Sequence, residues 1–310
     1  MWFTTDPALD AAGGALIEDL LGRFGALGLK RDAFAVTLLV HRAPLDGRSA
    51  GAPPVRFSHR GGQSFYPCSV VKAFYLVAAQ QRLADGVIEP HEELTRAMRD
   101  MIIYSSNAAT NYVIDLVTET TGDTLLEPQA AGEWAWRRNW VNRYFAGYGW
   151  PEFEPINICQ KLMDDVRYGR ENVFVDGGAN HNRLTTDATA RLFYGVMNGE
   201  VVSPERSRVV RDHLWRPLDP EFVRSEPRGQ VSGYFGAGLP PNSKLWSKAG
   251  STTWTGDLTA SYRRHDAAHV ELPCGRQFTL AAFTQGEEIS ANLEVLPAVA
   301  AAVCQVVQPI

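Results

Sequence analysis

Residues 70–79 read Val-Val-Lys-Ala-Phe-Tyr-Leu-Val-Ala-Ala, apolar at every position but one. A helix that is apolar nearly all round has no face to offer water, so the rest of the chain must wrap it on every side. With 310 residues and 45% apolar content the chain has enough material to do this in one unit. No repeat, low-complexity tract or long linker divides it. Pro67 stands just ahead, where a missing N–H costs little, and predicts a helix from 69 to about 84.

The single interruption is Lys72. The chain carries twenty-five arginines and only five lysines, so arginine supplies almost every surface cation. A lysine, unlike an arginine, loses its proton when buried and can then act as a base. Lys72 is the only lysine with a serine three residues before it. Residues three apart share a helix face, so Ser69 and Lys72 would meet near the helix N-terminus, which favours negative charge. There the neutral amine could take the serine proton. Taken alone, the pair equally fits an ordinary helix start with a surface lysine.

Two further segments narrow the choice. Tyr104-Ser-Ser-Asn-Ala-Ala-Thr-Asn111 is by itself a common kind of helix N-cap cluster. Leu245-Trp-Ser-Lys-Ala-Gly-Ser-Thr-Thr253 by itself fits a polar edge strand carrying a protective lysine. Its small residue and glycine would let a substrate backbone lie against the strand edge.

In this order the three segments resemble the S-x-x-K, S-D-N and K-T-G motifs of class A β-lactamases and penicillin-binding proteins. Ser106 stands where the family usually has aspartate, and Ala249 where it has threonine. The resemblance implies Ser69 as nucleophile, Lys72 as its base and Ser105 as the relay that passes a proton toward the leaving nitrogen. It implies Asn107, Gly250, Ser251 and Thr253 as substrate-binding residues, and Lys248 as a positive charge between Ser105 and a substrate carboxylate. The backbone N–H groups of Ser69 and Ser251 would form the oxyanion hole.

The resemblance also implies an α/β (α+β) fold of the β-lactamase/transpeptidase kind. An antiparallel sheet flanked by terminal helices, from residues 1–60 and 225–310, would face a helical half, residues 61–224, across a cleft holding the site. The function implied is a serine hydrolase that forms an acyl-enzyme on Ser69 and cleaves an amide or β-lactam bond. A penicillin-binding or D-alanyl peptidase-like enzyme with slow deacylation, and a non-catalytic binding protein on the same fold, are the alternatives. No cofactor or metal is called for, and the expected partner of a monomer is a small-molecule or peptide-like substrate.

Patterning predicts a first helix over 8–28, strands over 33–41, 55–59, 258–263 and 278–284, and a closing helix over 287–307. Residues 184–192 resemble the helix after the family's omega loop. His265-Asp-Ala-Ala-His269 has helical metal-ligand spacing but falls in a predicted hairpin turn. Gly233 to Gly238 reads as a loop, because no lysine follows it as in a phosphate cradle, and no G-x-S-x-G elbow occurs.

Several features depart from the family. Class A β-lactamases carry an omega-loop glutamate followed one turn later by an asparagine, and no glutamate from Glu119 to Glu171 has that partner. Glu171 stands nearest the expected place and is the candidate deacylation base; an arginine-paired or solvated loop carboxylate is the other reading. Ser69 and Ser105 are only 36 positions apart, and the segment from Asp123 to Trp140 looks inserted. Residues 134–153 hold eight aromatic rings, dense enough for a core and, where any line the cleft, suited to an apolar acyl group. Asp257 and Leu258 occupy the neighbourhood where many relatives have an arginine.

A net charge of −5 and a pI near 5.8, with no dense cationic run, argue against nucleic acid or acidic membranes as partners. The first basic residue is Arg23, so the basic start of a signal peptide is missing. The expectation is a cytoplasmic protein, or a periplasmic or secreted one whose leader was removed. Four scattered cysteines show no metal spacing, and Cys68 reads as a small packed thiol.

Overall fold

The computed structural model describes residues 2–45, 47, 52–162 and 168–307. Its helices are α1 (Pro7–Phe24), α2 (Lys72–Ala84), α3 (Glu92–Ile103), α4 (Asn107–Thr118), α5 (Pro128–Arg138), α6 (Trp140–Ala146), α7 (Gly169–Val175), α8 (Thr186–Met197), α9 (Pro204–Leu214), α10 (Pro220–Ser225), α11 (Glu287–Ala291) and α12 (Val295–Val307). Its strands are β1 (Phe34–His41), β2 (Val55–His59), β3 (Trp215–Arg216), β4 (Lys244–Thr252), β5 (Arg263–Glu271) and β6 (Gln277–Gln285). They form one antiparallel sheet in the order β2-β1-β6-β5-β4-β3.

Both faces of the sheet are covered. The terminal helices α1 and α12 pack on one face through Leu16, Leu20, Leu296 and Val303 against Val36, Leu280 and Ala282. On the other face α8 lies across β1, β5 and β6. Its N-terminus is fixed by Thr185, which caps it, and by Asp187, which accepts from Thr37 and pairs with Arg56. Beyond α8, α2 is enclosed by α3, α4, α6 and α9. Residues Lys72 to Gln80 of α2 are all buried, as a helix apolar on every side requires.

The aromatic segment packs beneath this central helix. Phe74 of α2 meets Phe145 and Phe153 edge-on, with ring centroids 5.1 and 6.0 Å apart, while Tyr144 and Tyr148 share a hydroxyl bond. These rings are core of the helical half; Trp136, in contrast, is exposed.

Three sequence expectations need correction. Residues 258–262 are loop, and the strand begins at Arg263. His265 to His269 are therefore not a turn but the centre of a fully paired strand. Their polar groups find partners inside: His265 Nε2 donates to Tyr66 O and its Nδ1 accepts from Thr284 N, so burial keeps the ring neutral, with its pKa pushed down to about 3. A polar strand buried on both faces lacks the alternation that marks strands in sequence. The closing helix is two helices, α11 and α12, separated at Asn292, whose side chain accepts from Glu294 N. Among the described residues no helix is long and apolar enough to cross a membrane.

Candidate active site

The turn carrying Ser69 is built by strain and close approach. One 3₁₀ turn, Cys68–Val71, leads into α2, and Cys68 holds a left-handed backbone at φ 50°. That conformation costs a non-glycine residue roughly 1–3 kcal/mol and persists where surroundings enforce it. Here β4 enforces it, since Gly250 lies against the Cys68–Ser69 peptide, and His265 holds the Tyr66 carbonyl from β5. Cys68 is buried, its thiol 3.6 Å from Thr252 Oγ1 and its pKa pushed up to about 12 by burial, so it is a packed thiol and not a nucleophile. Ser69 follows it, half-buried.

Lys72, in the first turn of α2, is fully buried. Its Nζ donates to Ser105 O at 2.5 Å, Asn107 Oδ1 at 2.7 Å and Ser105 Oγ at 3.3 Å. Among the described residues no hydrogen bond joins this amine to Ser69. The connection between α3 and α4 delivers these acceptors. Ser105 is left-handed at φ 55°, and Ser106 caps α4 by accepting from Ala109 N. The serine in the usual aspartate place is thus the N-cap, which leaves Ser105 to face the lysines.

Lys248 reaches the same hydroxyl from the sheet. Its Nζ lies 3.0 Å from Ser105 Oγ, 2.7 Å from Ala249 O and 2.5 Å from Gln230 Oε1. Burial pushes its pKa well down, and the charges of Lys72 and Arg216 push further in the same direction. Ser105 Oγ accepts from both amines, so its own proton points away from them.

Strand parity places the remaining candidate binding residues. The Ser247 and Ala249 carbonyls both turn away from β5, toward Arg216 and Lys248. With a period of two, the Ser251 N–H turns the same way, away from β5. The Ser251 side chain points to the opposite face, where its hydroxyl meets Tyr234 at 3.1 Å. Thr253 is exposed just past the end of β4.

Ser105, Asn107, Lys72 and Lys248 are therefore joined directly, and Ser69 and Gly250 are in contact beside them. Glu171 is not brought to this group. It sits in α7, buried, with Oε1 2.7 Å from Arg138 Nη1. Arg138 also donates to Thr120 Oγ1, and Asp115 beside it pairs with Lys161 at 2.6 Å. The carboxylate is thus arginine-paired, in a helix and away from solvent, because α5 inserts Arg138 beneath it. Residues 163–167 of the same connection lie outside the described residues.

Two residues of the site were not singled out in the sequence. Arg216 on β3 is fully buried and donates to Ile102 O, Ile103 O and Ser247 O, tying the end of α3 to β4. Gln230, left-handed at φ 57°, ends the loop after α10 and reaches Lys248. Nothing local marks either one, since each meets its partners only through the fold.

A sequence model of the beta-lactamase enzyme family matches residues 94–307. That span contains Ser105, Asn107 and Lys248 and begins after Ser69 and Lys72. No curated protein sequence matches the chain. Solved structures share the fold over nearly all of it. The beta-lactamase from Sphaerobacter thermophilus is 17% identical with a TM-score of 0.64, covering 96% of this chain and 98% of its own. The TLA-1 extended-spectrum beta-lactamase is 13% identical with a TM-score of 0.66, over 95% and 99%. A PBP-A variant in an acyl-enzyme complex with penicillin G is 18% identical with a TM-score of 0.60, over 96% and 97%.

Proposed function

This chain belongs to the beta-lactamase enzyme family, and from that premise we propose that it is a serine hydrolase that forms an acyl-enzyme on Ser69 and cleaves an amide or β-lactam C–N bond. The observation that carries the reading is the Ser105 hydroxyl held between the amines of Lys72 and Lys248, 3.3 and 3.0 Å away. Two ammonium groups sharing one hydroxyl repel, so the pair favours giving up a proton, which is the condition for an amine base.

In the proposed reaction Ser69 Oγ attacks the carbonyl carbon and its proton passes to the Lys72 amine. Charge on the carbonyl oxygen is met by the N–H groups of Ser69 and Ser251. The C–N bond breaks as Ser105 gives its outward proton to the nitrogen and recovers one from a neighbouring lysine. Water then releases the acyl group. Glu171 has its charge committed to Arg138, which favours the slow-deacylating, penicillin-binding variant of this chemistry. A point mutant of PBP-A, which shares this fold, was captured as a penicillin G acyl-enzyme.

The test is the intact mass of the protein after exposure to penicillin G or a fluorophosphonate, with Ser69→Ala as control. A mass increase in wild type that the alanine variant lacks supports the reading. Equal labelling of both refutes the assignment of Ser69.

A further inference from the structure

An ammonium group has three N–H donors, and those of Lys248 meet three protein acceptors: Ser105 Oγ, Ala249 O and Gln230 Oε1. The lysine is fully buried. Nothing of it remains to bind a substrate carboxylate unless Gln230 leaves. Three arginines near the end of β4 also donate to the protein's own backbone. Arg216 donates to Ile102, Ile103 and Ser247, Arg263 to Thr259, and Arg264 to Ser290, in every case to backbone carbonyls.

Gln230 is held for this contact. Its backbone is left-handed, and the neighbouring Gly229 and Val231 are buried. Because its oxygen accepts from Lys248 Nζ, its Nε2 keeps two N–H donors, and among the described residues Nε2 has no partner. Gln230 itself is half-buried.

We infer that Gln230 is a specificity-determining residue, and that the group flanking the scissile nitrogen is a neutral hydrogen-bond acceptor, an amide or ester carbonyl, rather than a free carboxylate. The carboxamide converts the cationic end of the cleft into a pair of neutral N–H donors. The substrate class is then an internal peptide-like or esterified compound. This inference rests on the acyl-enzyme reading of Ser69.

The experiment compares acylation rates of the full chain by penicillin G and by its methyl ester, followed by intact mass, in wild type, Gln230→Ala and Gln230→Glu. A fluorophosphonate is run in parallel on wild type and Ser69→Ala, and a thermal melt confirms that each variant is folded. Wild type should favour the ester. Gln230→Ala should free a Lys248 donor and shift the ester-to-carboxylate rate ratio about tenfold toward the carboxylate, the scale of one charge-assisted hydrogen bond. Gln230→Glu should shift the ratio the other way by placing a second negative charge there. A ratio unchanged in both variants, or a wild type that favours the carboxylate, overturns the inference. Fluorophosphonate labelling of Ser69 with no reaction of either penicillin also overturns it while leaving the serine hydrolase reading intact. No labelling of Ser69 by any probe removes that reading and the inference with it.

Discussion

Gly250 lies so close to Ser69 that a β-carbon on it would stand 2.4 Å from the Ser69 amide nitrogen. The same carbon would stand 2.9 Å from Cys68 Cβ. The turn carrying Ser69 and strand β4 are thus packed backbone to backbone. Gly250→Ala should push the turn away from the strand and separate the two proposed oxyanion donors. We expect folded protein, destabilised by about 1–3 kcal/mol as for overpacking. Acylation of Ser69 should fall by on the order of a hundredfold, as for loss of an oxyanion donor. Thermal melting and intact-mass kinetics read the two effects separately, and wild-type acylation by Gly250→Ala would show that the contact is not needed.

Arg216 should act at a distance from any substrate. It braces the end of α3, just before Ser105, against Ser247, just before Lys248. Burial pushes its pKa down to about 10, so the guanidinium is held at a cost for its geometry. Arg216→Lys cannot reach three carbonyls with one fork, and should lower the acylation rate more than it weakens substrate binding. A change in KM alone, with kcat intact, would contradict the bracing role.

Glu171→Gln separates two readings of the omega region. The Arg138–Glu171 pair is fully buried, and removing one partner of such a pair costs roughly 3–5 kcal/mol. The variant should therefore melt earlier, while the lifetime of a Ser69 adduct stays close to that of wild type. Selective trapping of the adduct with unchanged melting would mean that Glu171 directs the water after all.

Asp266 sets a pH dependence of stability. It lies on β5 opposite Ala249, accepts from Phe235 N and Ala267 N, and burial pushes its pKa up from 3.8 to about 7. A carboxyl whose folded pKa is raised gives stability that is complete below about pH 4 and is lost as pH rises through about 7. Relative to Asp266→Asn, wild type should lose stability on the order of a few kcal/mol over that window. Melting temperatures of the two proteins between pH 4 and 8 measure it, and parallel curves would rule it out.

Much of this was legible because it is local. Ser69 and Lys72 share one turn, Ser106 and Asn107 start one helix, and Lys248 and Gly250 sit on one strand, so spacing alone predicts which element carries each, though among the described residues Lys72 bonds to Ser105 and Asn107 and not to Ser69. Strands β1 and β6 show in sequence as apolar runs. β5 does not, since Arg263, Arg264, His265, Asp266 and His269 find partners only after the sheet and the loops over it have formed. Arg216 and Gln230 were hidden for the same reason: one comes from a two-residue strand, the other from a loop, and neither carries a motif. Glu171 was placed by distance along the chain, which could not foresee Arg138 arriving from the inserted helix α5.

The claim on which the rest depends is that Ser69 becomes covalently acylated with the help of two amines that share Ser105. The most direct measurement is peptide mapping by mass spectrometry of protein quenched at intervals after addition of penicillin G methyl ester. The expected adduct is confined to the peptide carrying Ser69, persists for minutes, and forms about a thousandfold more slowly or not at all in Lys72→Arg, where the proposed base is lost. An adduct on another residue, or equal rates in wild type and Lys72→Arg, would contradict it.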